Sequence, residues 1–117
     1  MDCANALKTS SRWHLILATF LAGMSMMASA ASKPAVHTVI IDGMQFSPAT
    51  LEINAGDTVI WKNKDPFPHT ATSLDKPGFD SGEIRTGGSW RYVAKKRGSF
   101  PYDCTLHRTM RGVLIIK

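Results

Sequence analysis

The sequence is poor in cysteine, with two in 117 residues, so a framework of several disulfides is excluded. Runs of five or six like charges are absent, and 14 basic against nine acidic residues leave a formal charge of +5. This moderate excess gives little support to nucleic-acid binding and indicates an acidic partner only weakly. Internal repeats and low-complexity tracts are also missing. The length allows one compact domain.

Long apolar runs are scarce as well. The main one covers residues 13–27, preceded by Lys8 and Arg12 and followed by the small residues Ala28-Ser29-Ala30. Its length of about fifteen residues is short for a membrane-spanning helix, which needs about twenty. A basic flank, a short apolar run and a small-x-small site are typical of a secretory signal peptide. The sequence favours this interpretation over an uncleaved anchor or a buried core helix.

Cleavage at this site divides the chain into a signal peptide, residues 1–30, and a mature domain, residues 31–117. Cleavage after Ala31 and retention as an anchor are the alternatives. We predict that the mature domain is periplasmic, is not inserted in the membrane and is monomeric. It keeps Cys104 but loses Cys3. A single cysteine in an oxidising compartment cannot form an internal disulfide, so it needs another role.

The mature chain has no apolar period of 3.6 residues that persists for three turns, so no long helix is predicted. Short segments rich in β-branched and aromatic residues alternate with turns that contain Gly, Pro and Asp. The predicted strands cover residues 36–41, 51–53, 58–62, 89–93, 99–103 and 111–116. This spacing predicts an all-β sandwich or barrel of about seven or eight strands. Phe100, Tyr102 and Cys104 share one face of their strand, so the thiol is expected to point into the core.

Three residues with soft or borderline ligand atoms follow that strand at regular spacing. Cys104, His107 and Met110 form the pattern C-x-x-H-x-x-M. Thiolate, imidazole and thioether together suit copper better than magnesium or calcium, and zinc gains little from the methionine. A second histidine is needed, and His69 in a proline-stiffened loop is a better candidate than His37 inside a strand. Each residue alone is more often part of a core or loop, but the combination predicts a copper site.

With these residues, the chain resembles the small cupredoxins of the amicyanin and plastocyanin branch. The resemblance implies a Greek-key β-sandwich with one type 1 copper, His69, Cys104 and His107 as equatorial ligands and Met110 as the axial ligand. It also implies one-electron transfer between larger redox proteins through His107 at the surface. The segments that carry the resemblance are Met44–Pro48, Leu51, Gly56–Val59, Trp61–Asn63, Pro68-His69, Gly98–Phe100, Tyr102, Cys104, His107 and Met110.

The chain departs from these relatives around the second histidine. Leu106 and Arg108 stand where amicyanin-like loops carry prolines. Arg108 and Arg111 predict a basic face near the metal, which suits an electron donor and acceptor with acidic docking surfaces. Thr70 follows His69 where many relatives have Asn. In the family this residue ties the ligand loops together, and its backbone N–H is directed at the cysteine sulfur.

Two rival functions share the ligands. The first is a periplasmic copper carrier or insertion protein, for which the mature chain has few methionines. The second is a catalytic copper domain, which needs a further copper site made of more histidines. His37 is the one spare histidine of the mature chain. The sequence therefore predicts an electron carrier that is not an enzyme, with copper delivery as the alternative.

Overall fold

The computed structural model describes Gly23 and residues 33–117, so the predicted signal peptide lies outside the described residues apart from Gly23. All regular elements of residues 33–117 are strands. They are β1 (Val36–Asp42), β2 (Gln45–Ser47), β3 (Thr50–Ile53), β4 (Thr58–Asn63), β5 (Thr72–Ser73), β6 (Ser89–Val93), β7 (Gly98–Cys104) and β8 (His107–Ile116). In this part of the chain, no helix has the length and apolar character to cross a membrane.

The strands form two four-stranded sheets, in the order β2-β1-β4-β6 and β3-β8-β7-β5. The pairs β1–β4 and β3–β8 are parallel, and the others are antiparallel. Buried apolar side chains from both sheets form a single core cluster. This arrangement confirms the expected all-β Greek-key sandwich.

The six strands predicted from the sequence are present, with ends displaced by a few residues. The strands β2 and β5 were not predicted. They contain three and two residues, too few to display an alternating apolar pattern. Their positions are set by pairing with β1 and β7.

Aromatic side chains fill the core beneath the strand that leads to Cys104. Trp61 on β4 is fully buried, and its Nε1 donates a hydrogen bond of 3.3 Å to the Tyr102 hydroxyl. Burial raises the pKa of Tyr102 to about 12. The Tyr102 ring lies against Gly112 on β8, where any Cβ atom would overlap it. Phe100, Tyr102 and Cys104 are all buried, which confirms the predicted inward face of β7.

His37 belongs to a polar cluster at the start of β1 and not to the metal-ligand group described below. Its Nε2 lies 2.9 Å from Asp57 Oδ2. The Asp57 carboxylate also accepts hydrogen bonds from the amides of Ala35 and Asn54. The Ala35 amide, the His37 side chain and the Asn54 amide lower the pKa of Asp57 to about 2. His37 therefore has a structural partner in Asp57.

Candidate metal centre

The hairpin between β7 and β8 brings two of the predicted ligands together. Cys104 and His107 lie opposite each other in the ladder, with Thr105 and Leu106 in the turn between them. The Cys104 thiol is fully buried, and His107 is partly exposed. The ladder itself therefore sets the separation of these two side chains.

The third residue of the motif depends on an irregularity in the same ladder. Asp103 pairs with Arg111, while the next residue of β7 pairs with His107, so residues 108–110 have no partner in β7. In a regular strand, residues three positions apart face opposite sides. The register shift breaks that alternation, and Met110 is buried with 3% of its surface exposed. The sequence predicted a loop here, whereas the structure places Met110 within β8.

His69 approaches from the loop between β4 and β5. Its backbone forms both hydrogen bonds of an isolated bridge with Ile84, at 3.1 and 2.7 Å. Pro68 restricts the backbone immediately before it. The His69 side chain is fully buried. The prediction that His69, and not His37, joins the motif agrees with this position.

The three side chains converge on one point. Cys104 Sγ lies 3.7 Å from Nδ1 of His69 and 3.7 Å from Nδ1 of His107. Within the described residues, these three form the group of potential metal-binding His, Cys, Asp and Glu side chains, with ligand atoms within 4.8 Å of one another.

These distances fit a metal ion. With the bond lengths of zinc sites, about 2.3 Å to sulfur and about 2.0 Å to nitrogen, and the angle of about 120° of a trigonal site, the two ligand atoms lie about 3.7 Å from each other. One thiolate, two imidazoles and a weakly bound axial methionine are the donor set of blue-copper sites, and Cys104, His69, His107 and Met110 supply these donor types. The geometry and the donor chemistry therefore both fit copper.

Asp65 orients the buried histidine, a role that the sequence analysis missed. Its Oδ2 lies 2.8 Å from Nε2 of His69, and this contact leaves the Nδ1 atom free for the centre. The carboxylate also accepts the amide hydrogens of Gly43 at 2.6 Å and Met44 at 2.9 Å. Burial of Asp65 opposes its ionisation, but the Met44 amide, the His69 side chain and the Gly43 amide together lower its pKa. No local pattern in the sequence marks this contact, because residue spacing in a loop does not determine which side chains meet.

Asn63 organises the loop that carries His69. Its Nδ2 donates to the carbonyl oxygens of Phe67 at 2.7 Å and Ile84 at 3.0 Å. Its Oδ1 accepts the amide hydrogen of Asp65 at 2.9 Å. Since the side chain is almost fully buried, these bonds replace those that water would supply. The loop is therefore held by hydrogen bonds within the protein.

Thr70 links the two ligand loops. Its backbone amide donates to Cys104 Sγ at 3.3 Å, as the family resemblance implied. Its hydroxyl oxygen accepts the amide hydrogen of Thr105 at 2.8 Å and lies 3.0 Å from the Thr105 hydroxyl. A threonine thus makes the connection for which many relatives use an asparagine.

Asp103 places a second buried carboxylate beside the centre. Its side chain is 3% exposed, and Oδ1 has no hydrogen-bond partner among the described residues. Oδ2 lies 3.4 Å from Nη1 of Arg108, whose side chain is 69% exposed. Arg108 therefore pairs with a buried carboxyl group as well as contributing to the basic face. The sequence analysis recognised only the second role.

Comparisons with known proteins agree with this geometry. Residues 14–116 match the family model of the cupredoxin-like domain. Amicyanin of Paracoccus versutus is 34% identical over 94 residues, which cover 76% of this chain and 71% of that protein. Plastocyanin of Synechococcus sp. (strain JA-2-3B'a(2-13)) is 30% identical in an alignment that covers 90% of this chain and 92% of that protein.

Among solved structures, the Cu-containing nitrite reductase of Thermus scotoductus SA-01 superposes with a TM-score of 0.67 and 30% identity. The match covers 74% of this chain and 23% of the reductase. The chain therefore spans about a quarter of the length of the reductase. The fold, the donor set and the family match together lead to one conclusion. The chain belongs to the cupredoxin family, and its cofactor is a single type 1 copper.

Proposed function

We propose that His69, Cys104, His107 and Met110 hold the copper and that the chain carries single electrons between larger redox proteins. The observation that supports this most directly is the convergence of the Cys104 thiol with two imidazole nitrogens at 3.7 Å. We also propose that residues 1–30 are removed on export and that the carrier acts in the periplasm.

The residues around the site favour fast electron exchange because they leave little to rearrange. Copper supplies the one-electron couple, since it alternates between the Cu(II) and Cu(I) states. Asp65 holds His69 with its Nδ1 atom toward the site. The Thr70 amide donates to the sulfur of Cys104, and such hydrogen bonds tune the reduction potential. Burial of Cys104 and Met110 excludes water from the site.

His107 is the proposed point of electron entry and exit, because it is partly exposed whereas His69 is fully buried. Leu106, next to it, is an exposed apolar side chain. The basic rim, defined here as Arg108 and Arg111, is also exposed. An apolar contact beside positive charges suits a partner whose docking surface is acidic, because complementary charges accelerate association.

The same observations favour a carrier over an enzyme or a copper-delivery protein. A catalytic copper domain needs a further metal site, but His37 is bound to Asp57. The nitrite reductase that superposes on this chain is about four times longer than the matched part. A delivery protein needs an accessible metal, whereas three of the four proposed ligands are buried.

Spectroscopy of the copper(II)-loaded protein tests the proposal. We expect an intense blue absorption band and a small copper hyperfine splitting in the EPR spectrum. A reductant should bleach the band reversibly with one electron per copper. The Cys104→Ser variant should lose the intense band because the colour requires thiolate ligation. A pale tetragonal spectrum in the wild type, or no stable copper(II) form, would instead support copper delivery.

A further inference from the structure

The hydroxyl of Thr70 belongs to a chain of side chains that leads away from the metal centre. Thr72 Oγ1 lies 3.0 Å from Thr70 Oγ1 and 3.1 Å from Asp80 Oδ1. On the other side, Thr105 Oγ1 lies 3.0 Å from Thr70 Oγ1. Three hydroxyls and one carboxylate are therefore connected in sequence. We call this set, Thr105, Thr70, Thr72 and Asp80, the threonine relay.

Thr72 is the donor at the centre of this set. Its hydroxyl is directed at both Thr70 Oγ1 and Asp80 Oδ1, so its single hydrogen is shared between these two acceptors, and Asp80 fixes the orientation of that hydroxyl. The Thr70 oxygen also accepts the Thr105 amide hydrogen at 2.8 Å. With both lone pairs used in this way, the Thr70 hydroxyl donates its own hydrogen to Thr105 Oγ1. The Thr70 hydroxyl is therefore held on both sides, by Thr72 and by Thr105.

We propose that Thr72 and Asp80 are positioning residues that hold the sulfur-directed amide of Thr70 in place. Neither residue touches the Cys104 thiol. Their effect passes through the Thr70 hydroxyl, which bridges the two ligand loops. This proposal rests on the proposed role of Cys104 as a copper ligand.

The position of Asp80 supports this role. Its Oδ1 atom also accepts the amide hydrogen of Gly82 at 2.9 Å. Its backbone forms an isolated bridge with Thr72. Beside that bridge, Ala71 donates its amide hydrogen to Ser81 Oγ at 2.8 Å. The carboxylate at the end of the relay is therefore anchored by the backbone of a second loop.

Removal of the Thr72 hydroxyl is expected to affect the hydrogen bond that Cys104 Sγ accepts. Loss of the Thr72 hydroxyl removes a donor from the Thr70 oxygen, so the Thr70 hydroxyl can rotate to other partners and release the Thr105 amide. The hydrogen bond from the Thr70 amide to Cys104 Sγ, at 3.3 Å, then weakens. Because hydrogen bonds to the sulfur raise the reduction potential, the potential should fall.

The experiment compares Thr72→Val, which keeps the shape of the side chain but removes the hydroxyl, with Thr72→Ser, which restores it. Amide exchange of Thr70 and Thr105 is measured by NMR on the copper-free protein. The reduction potential is measured on the copper-loaded protein by titration of the visible band. We expect exchange about tenfold faster in Thr72→Val, as for one lost hydrogen bond. The potential should be lower than in the wild type, and Thr72→Ser should restore both values.

Thr38→Val, at an exposed threonine of β1, is the matched control and should change neither measurement. Asp80→Asn, which retains an acceptor but not the charge, should shift both in the same direction as Thr72→Val by a smaller amount. Unchanged exchange and potential in Thr72→Val would overturn the proposal, as would a change that Thr72→Ser does not reverse. If the wild type shows no blue band, the proposed function fails, while exchange in the copper-free protein still decides on the relay.

Discussion

Replacement of Asp65 by Asn tests whether a buried carboxylate holds the metal loop together. The wild-type side chain accepts three N–H groups, from Gly43, Met44 and the ring of His69. An amide has one oxygen, so its NH₂ group must face at least one of these donors. At least one charge-assisted hydrogen bond is therefore lost, and the NH₂ group and the N–H group that it faces are two donors without an acceptor.

The magnitude follows from that count. A hydrogen bond to a charged group contributes about 1.5–3 kcal/mol, and a buried donor without a partner costs about 1–3 kcal/mol. We therefore expect Asp65→Asn to lower the free energy of unfolding of the copper-free protein by about 3 kcal/mol. For a domain of this size, that corresponds to a fall in melting temperature of roughly 12–24 °C.

Urea denaturation of the copper-free protein, followed by tryptophan fluorescence, gives the midpoint and slope of the transition. Asp42→Asn, at an exposed aspartate of β1, is the matched control and should lie within about 0.5 kcal/mol of the wild type. Copper affinity of Asp65→Asn should also fall about 10- to 100-fold, because His69 loses its orienting partner. A variant as stable as the control, with unchanged copper affinity, would refute the reasoning.

Three further predictions concern the sheet, the docking face and the acid response. Gly112→Ala should destabilise the protein by about 1–3 kcal/mol in urea denaturation, because its Cβ overlaps the Tyr102 ring; an unchanged midpoint would contradict this close packing. Arg111→Glu should slow oxidation of the reduced protein by the anion ferricyanide about tenfold at low salt in stopped-flow measurements. Lys96→Glu makes the same change in charge and should slow this oxidation less. Equal effects of the two variants would place the docking charge elsewhere. Asp57→Asn should be less stable than the wild type above pH 4. This difference in stability should shrink as the pH falls toward 2, because the folded state holds the pKa of Asp57 at about 2. A difference in stability that does not depend on pH would refute a stabilising role of the ionised Asp57 carboxylate.

Much of the fold could be predicted because local composition and tertiary environment agree. Buried strands such as β4 and the end of β8 are rich in β-branched and apolar residues, so their pattern is visible in the sequence. The strand β5 has two residues and exists because it pairs with Asp103 and Tyr102 of β7. Such a strand depends on distant partners, so no local pattern can reveal it.

Some residues of the candidate site could be predicted from local sequence, and others could not. Cys104, His107 and Met110 are close in sequence, so their spacing was informative. Asp65 and Thr72 were not recognised because polar residues in short loops are common. Their roles depend on which distant atoms the fold places within hydrogen-bond distance.

The register shift between β7 and β8 separates the length of the metal loop from the alignment of the sheet. Pairing from Asp103 with Arg111 onward is continuous to the end of β8, and residues 108–110 lie outside it. Insertions or deletions in this segment can therefore change the position of Met110 without moving any rung of the ladder. A sandwich built in this way can vary the position of Met110, the proposed axial ligand, through loop length alone. Evolution or design can thus alter the redox properties of the site while the foldable scaffold stays the same.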